Sequence, residues 1–328
     1  MQRAGLRRLR LPERRSGKYV GVRSISREQV DDGAFVRQDS TFRDWVRADG
    51  RDGLPAEYGR YHLYVAKACP WASRALIVRR LKRLEDAISV SFAHPLRDER
   101  GWAFPGGPFS DDVNGFSFLA EAYEHSDPDY AARHSVPVLW DRQEGRIVNN
   151  ESADIVRMLN TEFDEWGDPG VDLYPAELRD EIDVLNERIY ETVNNGVYAA
   201  GFATTQEAYH RAFVELFVTL DALEERLDKQ RYLTGDRVTE ADWRLFVTLV
   251  RFDAVYYSHF KCNLRRIVDH PNLWSFTREL YQWPGIAETV DLDQIKAHYY
   301  GTHPSLNPTR IIPDGPALDF GAPPDRRL

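Results

Sequence analysis

The sequence predicts a mixed α/β domain followed by an all-helical one. Short β-rich runs and amphipathic helical stretches alternate between Tyr61 and Leu159. From about residue 176 the apolar residues recur at helical spacing instead. The two regions are separated by 162–175, a stretch holding Asp, Gly and Pro that reads as a linker.

Taken in order, Tyr61 to Val65 alternates and is β-rich, so it reads as a strand. Ala72, Ala75, Leu76, Val78 and Leu81 then fit one broad helical face, with Arg74, Arg79, Arg80, Lys82 and Arg83 largely on the other. Ile88 to Ala93 reads as a second strand. The segment 95–133, rich in Gly, Pro, Asp and aromatics, reads as a long loop with a short helix near Phe118 to His125. Val136 to Trp140 and Arg146 to Val148 are strand-like and hairpin-spaced, and a helix begins near Ser152. The order β-α-β, then β-β-α, is that of a thioredoxin-like domain. In the second region Leu178, Ile182, Leu185 and Ile189 recur at helical spacing, and Tyr209 to Arg231 reads as one long helix. Thr239-Glu-Ala-Asp242 has the form of a capping box, with Val238 and Trp243 at the two positions of a hydrophobic staple. Helical spacing resumes at Leu273 to Tyr281, and the proline-rich tail from Gly301 has no period. This organisation gives an N-terminal extension over 1–50, partly disordered, a thioredoxin-like domain over 51–162, a helical domain over 176–300 and a tail over 301–328.

With 328 residues the chain can bury two cores without covalent staples. A net charge of -9 argues against a general nucleic-acid binder, which normally presents a basic face. No apolar run has the length of a membrane span. Two cysteines cannot build a disulfide framework, which favours a reducing compartment and a cytoplasmic location. Histidines show no metal spacing, so no metal is assigned. The arginine-rich segment Met1 to Lys18 reads either as a targeting peptide or as a disordered extension.

Cys69, in Lys67-Ala-Cys-Pro-Trp-Ala72, stands where the first helix begins. Unpaired N–H groups and the positive end of the helix dipole meet there, and both favour thiolate over thiol. Pro70 suits the first helical position. No second cysteine follows two residues later, so the resolving thiol of any redox chemistry must come from outside. Cys262, the other cysteine, reads as a small core residue.

Further candidates surround this thiol. Val136-Pro137 opens a strand, and in a thioredoxin-like fold such a proline is cis, which frees the preceding backbone to pair with a peptide-like ligand. Ser152 reads as a helix N-cap whose hydroxyl and nearby N–H groups suit a carboxylate, while Glu151 beside it suits an α-amino group. The plain alternative for this pair is an ordinary cap. Trp102, Tyr198, Tyr299 and Tyr300 each read as ligand contacts or as buried aromatics.

Taken together, these pieces resemble the glutathionyl-hydroquinone reductases, the Xi class of glutathione transferases. The similarity rests on Tyr61-His-Leu-Tyr64, Cys69-Pro-Trp-Ala72, Gly101-Trp-Ala-Phe104, Val136-Pro-Val-Leu-Trp-Asp141, Ile147-Val-Asn-Asn-Glu-Ser-Ala-Asp154, Asn194-Asn-Gly-Val-Tyr-Ala-Ala-Gly-Phe202, Thr239-Glu-Ala-Asp242 and Ile295-Lys-Ala-His-Tyr-Tyr300. The resemblance implies a thioredoxin-like domain followed by a helical glutathione-transferase domain, glutathione as co-substrate and a homodimer. It makes Cys69 the nucleophile and gives glutathione binding to Trp102, Val136 with Pro137, Glu151 and Ser152, with Arg133 a further participant. Tyr198 and one of Tyr299 and Tyr300, with Tyr299 preferred, would line the quinone pocket and serve catalysis. The implied reaction is deglutathionylation of glutathionyl-hydroquinones. Its alternatives are a conjugating transferase, the same chemistry with mycothiol, and a non-enzymatic binding module. One departure is Ser73, where the family often has histidine after Cys-Pro-Trp-Ala.

Overall fold

A computed structural model of the chain describes residues 29–326; the arginine-rich segment 1–18 lies outside them. The described chain divides into two compact units. The first comprises 38–171 with 293–302, and the second 29–37, 172–292 and 303–326.

The first unit is built on a four-stranded sheet in the order β4-β3-β5-β6, from β3 (Tyr61–Val65), β4 (Ser89–Phe92), β5 (Val138–Asp141) and β6 (Arg146–Asn149). β3 runs parallel to β4 and antiparallel to β5, and β5 pairs antiparallel with β6 through an irregularity at Leu139/Trp140. Helices α1 (Pro70–Leu81), α2 (Leu119–Ser126) and α3 (Ser152–Thr161) complete the expected β-α-β, β-β-α order, and α1 packs against α3. β3 forms where the sequence reads a strand, and all five of its residues are buried. A strand with both faces covered must satisfy its polar tips internally. Tyr61 donates its hydroxyl to the Pro55 carbonyl at 2.7 Å, and the Tyr64 hydroxyl bonds to Asp111 at 3.2 Å.

The cationic side of α1 is also less solvated than its spacing suggests. Arg74 and Lys82 are buried. Lys82 Nζ donates to Asp164 Oδ1 at 2.6 Å and to the Val171 carbonyl at 2.8 Å, clamping part of the 162–175 segment onto this unit. Residues 42–50, read from sequence as extension, belong to this unit too: the Asp44 N–H donates to the Val148 carbonyl, Arg43 bridges Asn149, and Val46 is fully buried. With no periodicity to mark it, this edge contact leaves no pattern in the sequence.

The second unit is helical, with a small hairpin of β1 (Gln29–Asp31) and β2 (Ala34–Val36). Its helices are α4 (Arg179–Ile189), α5 (Gly196–Phe202), α6 (Gln206–Leu227), α7 (Glu240–Arg251), the single turn α8 (Tyr257–His259) and α9 (Pro271–Tyr281). Two π-helical turns, Tyr190–Asn194 and Phe252–Tyr256, follow α4 and α7. The capping box read from Thr239 and Asp242 is formed: the Asp242 carboxylate accepts from the Thr239 N–H at 2.8 Å and the Thr239 hydroxyl at 3.0 Å, and also from the Leu233 N–H at 2.8 Å. The final helix, α10 (Leu292–Thr302), lies almost wholly within the first unit, although the sequence reading runs the helical domain through residue 300.

Candidate active site

Cys69 caps the N-terminus of α1 in an extended conformation, with Pro70 at the first helical position. The thiol is half-buried, and Sγ lies 3.5 Å from the Val136 carbonyl. The Val136-Pro137 peptide bond is cis. Sulfur and the backbone just before β5 therefore meet at one point. Ser73, the residue that departs from the usual histidine, turns its hydroxyl back to the Cys69 carbonyl at 3.1 Å, a local bond that leaves it serving the helix.

A second feature of the site is the start of α3. The sequence names Ser152 as the N-cap, but the cap is Glu151: its Oε1 accepts from the Ala153 N–H at 3.0 Å. The reason is the turn just upstream, where Asn149 Oδ1 accepts the Glu151 N–H at 2.7 Å and fixes Glu151 in extended backbone. Ser152 becomes the first helical residue, and its hydroxyl lies 3.4 Å from Glu151 Oε1. Ser40 donates to the other carboxylate oxygen at 3.0 Å. The result is an oriented carboxylate and hydroxyl at the N-terminus of α3.

The sequence reading missed the residue that joins the two features. Arg74 is only 3% exposed, and its Nη1 lies 3.5 Å from Ser152 Oγ. It sits one turn beyond Cys69 and so brings a guanidinium from α1 to the start of α3. No sequence signal marks it, because a helical wheel of α1 cannot reveal that α3 covers that side. Ser40 was missed for a similar reason.

Cys69 thus meets the Val136 carbonyl just before Pro137, and Arg74 links α1 to Ser152 beside Glu151. Trp102 forms a different cluster. Its buried indole stacks on His298 at 4.9 Å between centroids and 18° between planes, and the Arg97 guanidinium lies 5.0 Å from its ring centre. His298 Nδ1 bonds to the Pro95 carbonyl at 2.7 Å, and its ring meets Tyr299 edge-on. The contact shown between α10 and Trp102 is that of His298, the residue before Tyr299. Tyr299 and Tyr300 are both buried. Arg133 is half-buried, its backbone N–H donating to Gln38 Oε1 at 3.0 Å. Tyr198 belongs to the second unit, where Arg37 lies 4.9 Å from its ring centre and Phe35, Phe202, Tyr256 and Phe260 surround it. Among the described residues, no group of three or more His, Cys, Asp or Glu could hold a metal ion, and no helix is long and apolar enough to cross a membrane.

A cysteine capping the first helix of a thioredoxin-like unit, a cis-proline beside it, and a helical unit downstream define a glutathione S-transferase. The family models agree: glutathione S-transferase, N-terminal domain, matches residues 68–162, and glutathione S-transferase, C-terminal domain, matches 206–279. The chain is 55% identical over 287 residues to glutathionyl-hydroquinone reductase PcpF of Sphingobium chlorophenolicum, covering 87% of this chain and 90% of that one. The glutathione-bound structure of YqjG, a glutathione transferase homolog from Escherichia coli K-12, superposes with a TM-score of 0.85 at 52% identity, covering 88% of this chain and 96% of that one. The glutathione-S-transferase Xi of Phanerochaete chrysosporium gives a TM-score of 0.88 at 48% identity, covering 93% and 100%. The chain belongs to the Xi class of glutathione transferases, the glutathionyl-hydroquinone reductases.

Proposed function

We propose that the protein reduces glutathionyl-hydroquinones to hydroquinones, with Cys69 as the nucleophile and glutathione as the reductant. The Cys69 thiolate attacks the sulfur of the conjugate, forming a sulfur–sulfur bond as the carbon–sulfur bond breaks. The electron pair of that bond leaves on the aromatic carbon, which takes a proton from a tyrosine hydroxyl, Tyr198 or Tyr299. A second glutathione thiolate then attacks the mixed disulfide, regenerating Cys69 and releasing glutathione disulfide. The two glutathione sulfurs supply the two electrons as they become a disulfide, the proton of the second glutathione thiol restores the tyrosine, and no other reductant is needed. Two half-reactions through a covalent intermediate give ping-pong kinetics.

The observation that carries this reading is the solitary, half-exposed sulfur at the tip of α1, 3.5 Å from the backbone of the cis-proline turn. A conjugating transferase activates the thiol of bound glutathione, and an enzyme sulfur at that point would stand in its way. In our reading the Val136 backbone pairs with the cysteinyl part of glutathione. Ser152 and the N-terminus of α3 receive the γ-glutamyl carboxylate, and Glu151 takes the α-amino group. Trp102 and Arg133 complete the glutathione site, and Tyr300 borders the quinone. We also read the protein as a homodimer, and as cytoplasmic, the latter in keeping with its two free thiols.

Incubation with glutathione disulfide should give a single adduct on the wild-type protein by intact mass and none on Cys69→Ser. That variant should lose reductase turnover by at least about a thousandfold, as expected when a covalent nucleophile is removed. Full turnover in Cys69→Ser would overturn the assignment.

A further inference from the structure

The Val136-Pro137 turn and the Glu151-Ser152 cap are separate loops, yet one buried atom bonds to the residue preceding each. Tyr123, on α2, is fully buried. Its hydroxyl donates to the Ser135 carbonyl at 2.8 Å and accepts the Ser135 N–H at 3.1 Å. It also accepts from Asn150 Nδ2 at 3.1 Å, and Ser135 Oγ lies 3.3 Å away. Ser135 immediately precedes Val136, and Asn150 immediately precedes Glu151. A phenol has one proton to donate and two lone pairs to accept with, so these bonds use all of its capacity.

The partners are themselves fixed. Asn150 accepts the Phe42 N–H on its side-chain oxygen at 3.2 Å, and its own N–H donates to the Phe42 carbonyl at 3.1 Å. The Tyr123 ring is walled by Phe42, Tyr130 and His134, with centroids at 5.7, 4.8 and 5.0 Å. Burial pushes the phenol's titration up, so the hydroxyl keeps its proton at working pH.

We propose that Tyr123 is a positioning residue for the thiol carrier, setting the spacing between the Val136 backbone and the Glu151-Ser152 pair. A tripeptide that must be held at both its cysteinyl and γ-glutamyl parts needs those two grips at a fixed distance. Without the hydroxyl the two loops stay joined through the β5–β6 ladder but lose the bond between the residues that flank the two grips. The inference rests on the glutathione placement proposed above.

The test compares three variants of the full chain. Tyr123→Phe keeps the ring and removes the oxygen. It should raise KM for both the conjugate and glutathione by about three- to tenfold, the effect of losing one or two net hydrogen bonds, with kcat within about twofold of wild type. Ser126→Ala is the control for stability alone, because it removes a neighbouring link from α2 to β6, the Ile147 N–H to Ser126 Oγ bond at 2.7 Å. It should lower the melting temperature and leave KM in place. Glu151→Gln reports on the direct contact and should also raise KM. If Glu151→Gln raises KM while Tyr123→Phe does not, the positioning role is overturned and the glutathione placement stands. If neither moves KM, the placement falls and the inference with it. An equal rise in KM in Ser126→Ala would reduce the effect to general loosening and overturn the proposal. Should Tyr123→Phe not fold, Asn150→Ala, which removes the amide donor to the hydroxyl, carries the same expectation.

Discussion

Cys69 and Cys262 share a chain but not an environment. Cys262 is fully buried, and burial pushes its thiol well up, so it has neither access nor anionic character. Cys69 is half-exposed. A thiol-specific reagent should therefore label one cysteine in the native protein and two after unfolding in denaturant, counted by mass. Rapid labelling of both in the native state would contradict the burial. Position in sequence reveals this contrast well for Cys69, because a helix start is a local event set by Pro70 and the residues after it. The placement of Glu151 and Ser152 was legible for the same reason, although the capping role fell one residue earlier once Asn149 closed the turn. Arg74 was not legible. Its burial depends on α3, a helix more than seventy residues away in the chain, and no local pattern encodes that.

Among the helices, α7 makes the clearest case for local encoding. The Thr-x-x-Asp pattern forms the bonds it predicts, and Asp242 additionally accepts the Leu233 N–H, which only the fold supplies. Thr239→Ala should cost about 1–2 kcal/mol, in the range of a lost cap. Asp242→Ala should cost more, about 2–4 kcal/mol, because it strands two buried N–H donors at once. Urea unfolding midpoints would measure both, and equal losses for the two variants would contradict the extra role of Asp242. The π-helical turns were invisible by comparison. In the turn after α4, the Asn194 side chain donates to the Arg244 carbonyl at 2.8 Å and to the Thr248 hydroxyl at 2.7 Å. That demand comes from α7, while the apolar spacing of α4 gives no sign of it.

Over the whole molecule, three buried histidines, His62, His134 and His259, are each pushed down to about 4, chiefly by desolvation. An unfolded histidine titrates near 6.5, so between that value and 4 the unfolded chain binds protons that the folded one does not. Their contribution to stability is complete above about 6.5 and is lost progressively as pH falls from there to about 4. The loss should be on the order of 1–3 kcal/mol for each. The melting temperature should thus fall steeply between pH 6.5 and 4, and His134→Phe should flatten that slope. A wild-type curve level across this interval would contradict it. The order of strands and helices from β3 to α3 was legible, because each of those elements carries its own period, whereas the hairpin β1–β2, α5 and α10 were not read from the sequence. The assignment of segments to units was not, because residues 29–37 and 293–302 each join the unit to which their sequence neighbours do not belong.

That last placement bears on how the protein is made. His298, the stacking partner of Trp102, comes nearly two hundred residues later, so a nascent chain reaching residue 171 holds every strand of its sheet and still lacks the helix that meets Pro95 and Trp102. The cysteine-bearing half can finish folding only after nearly all of the other half has left the ribosome. A gene cut at the midpoint between the two would encode two unfinished pieces.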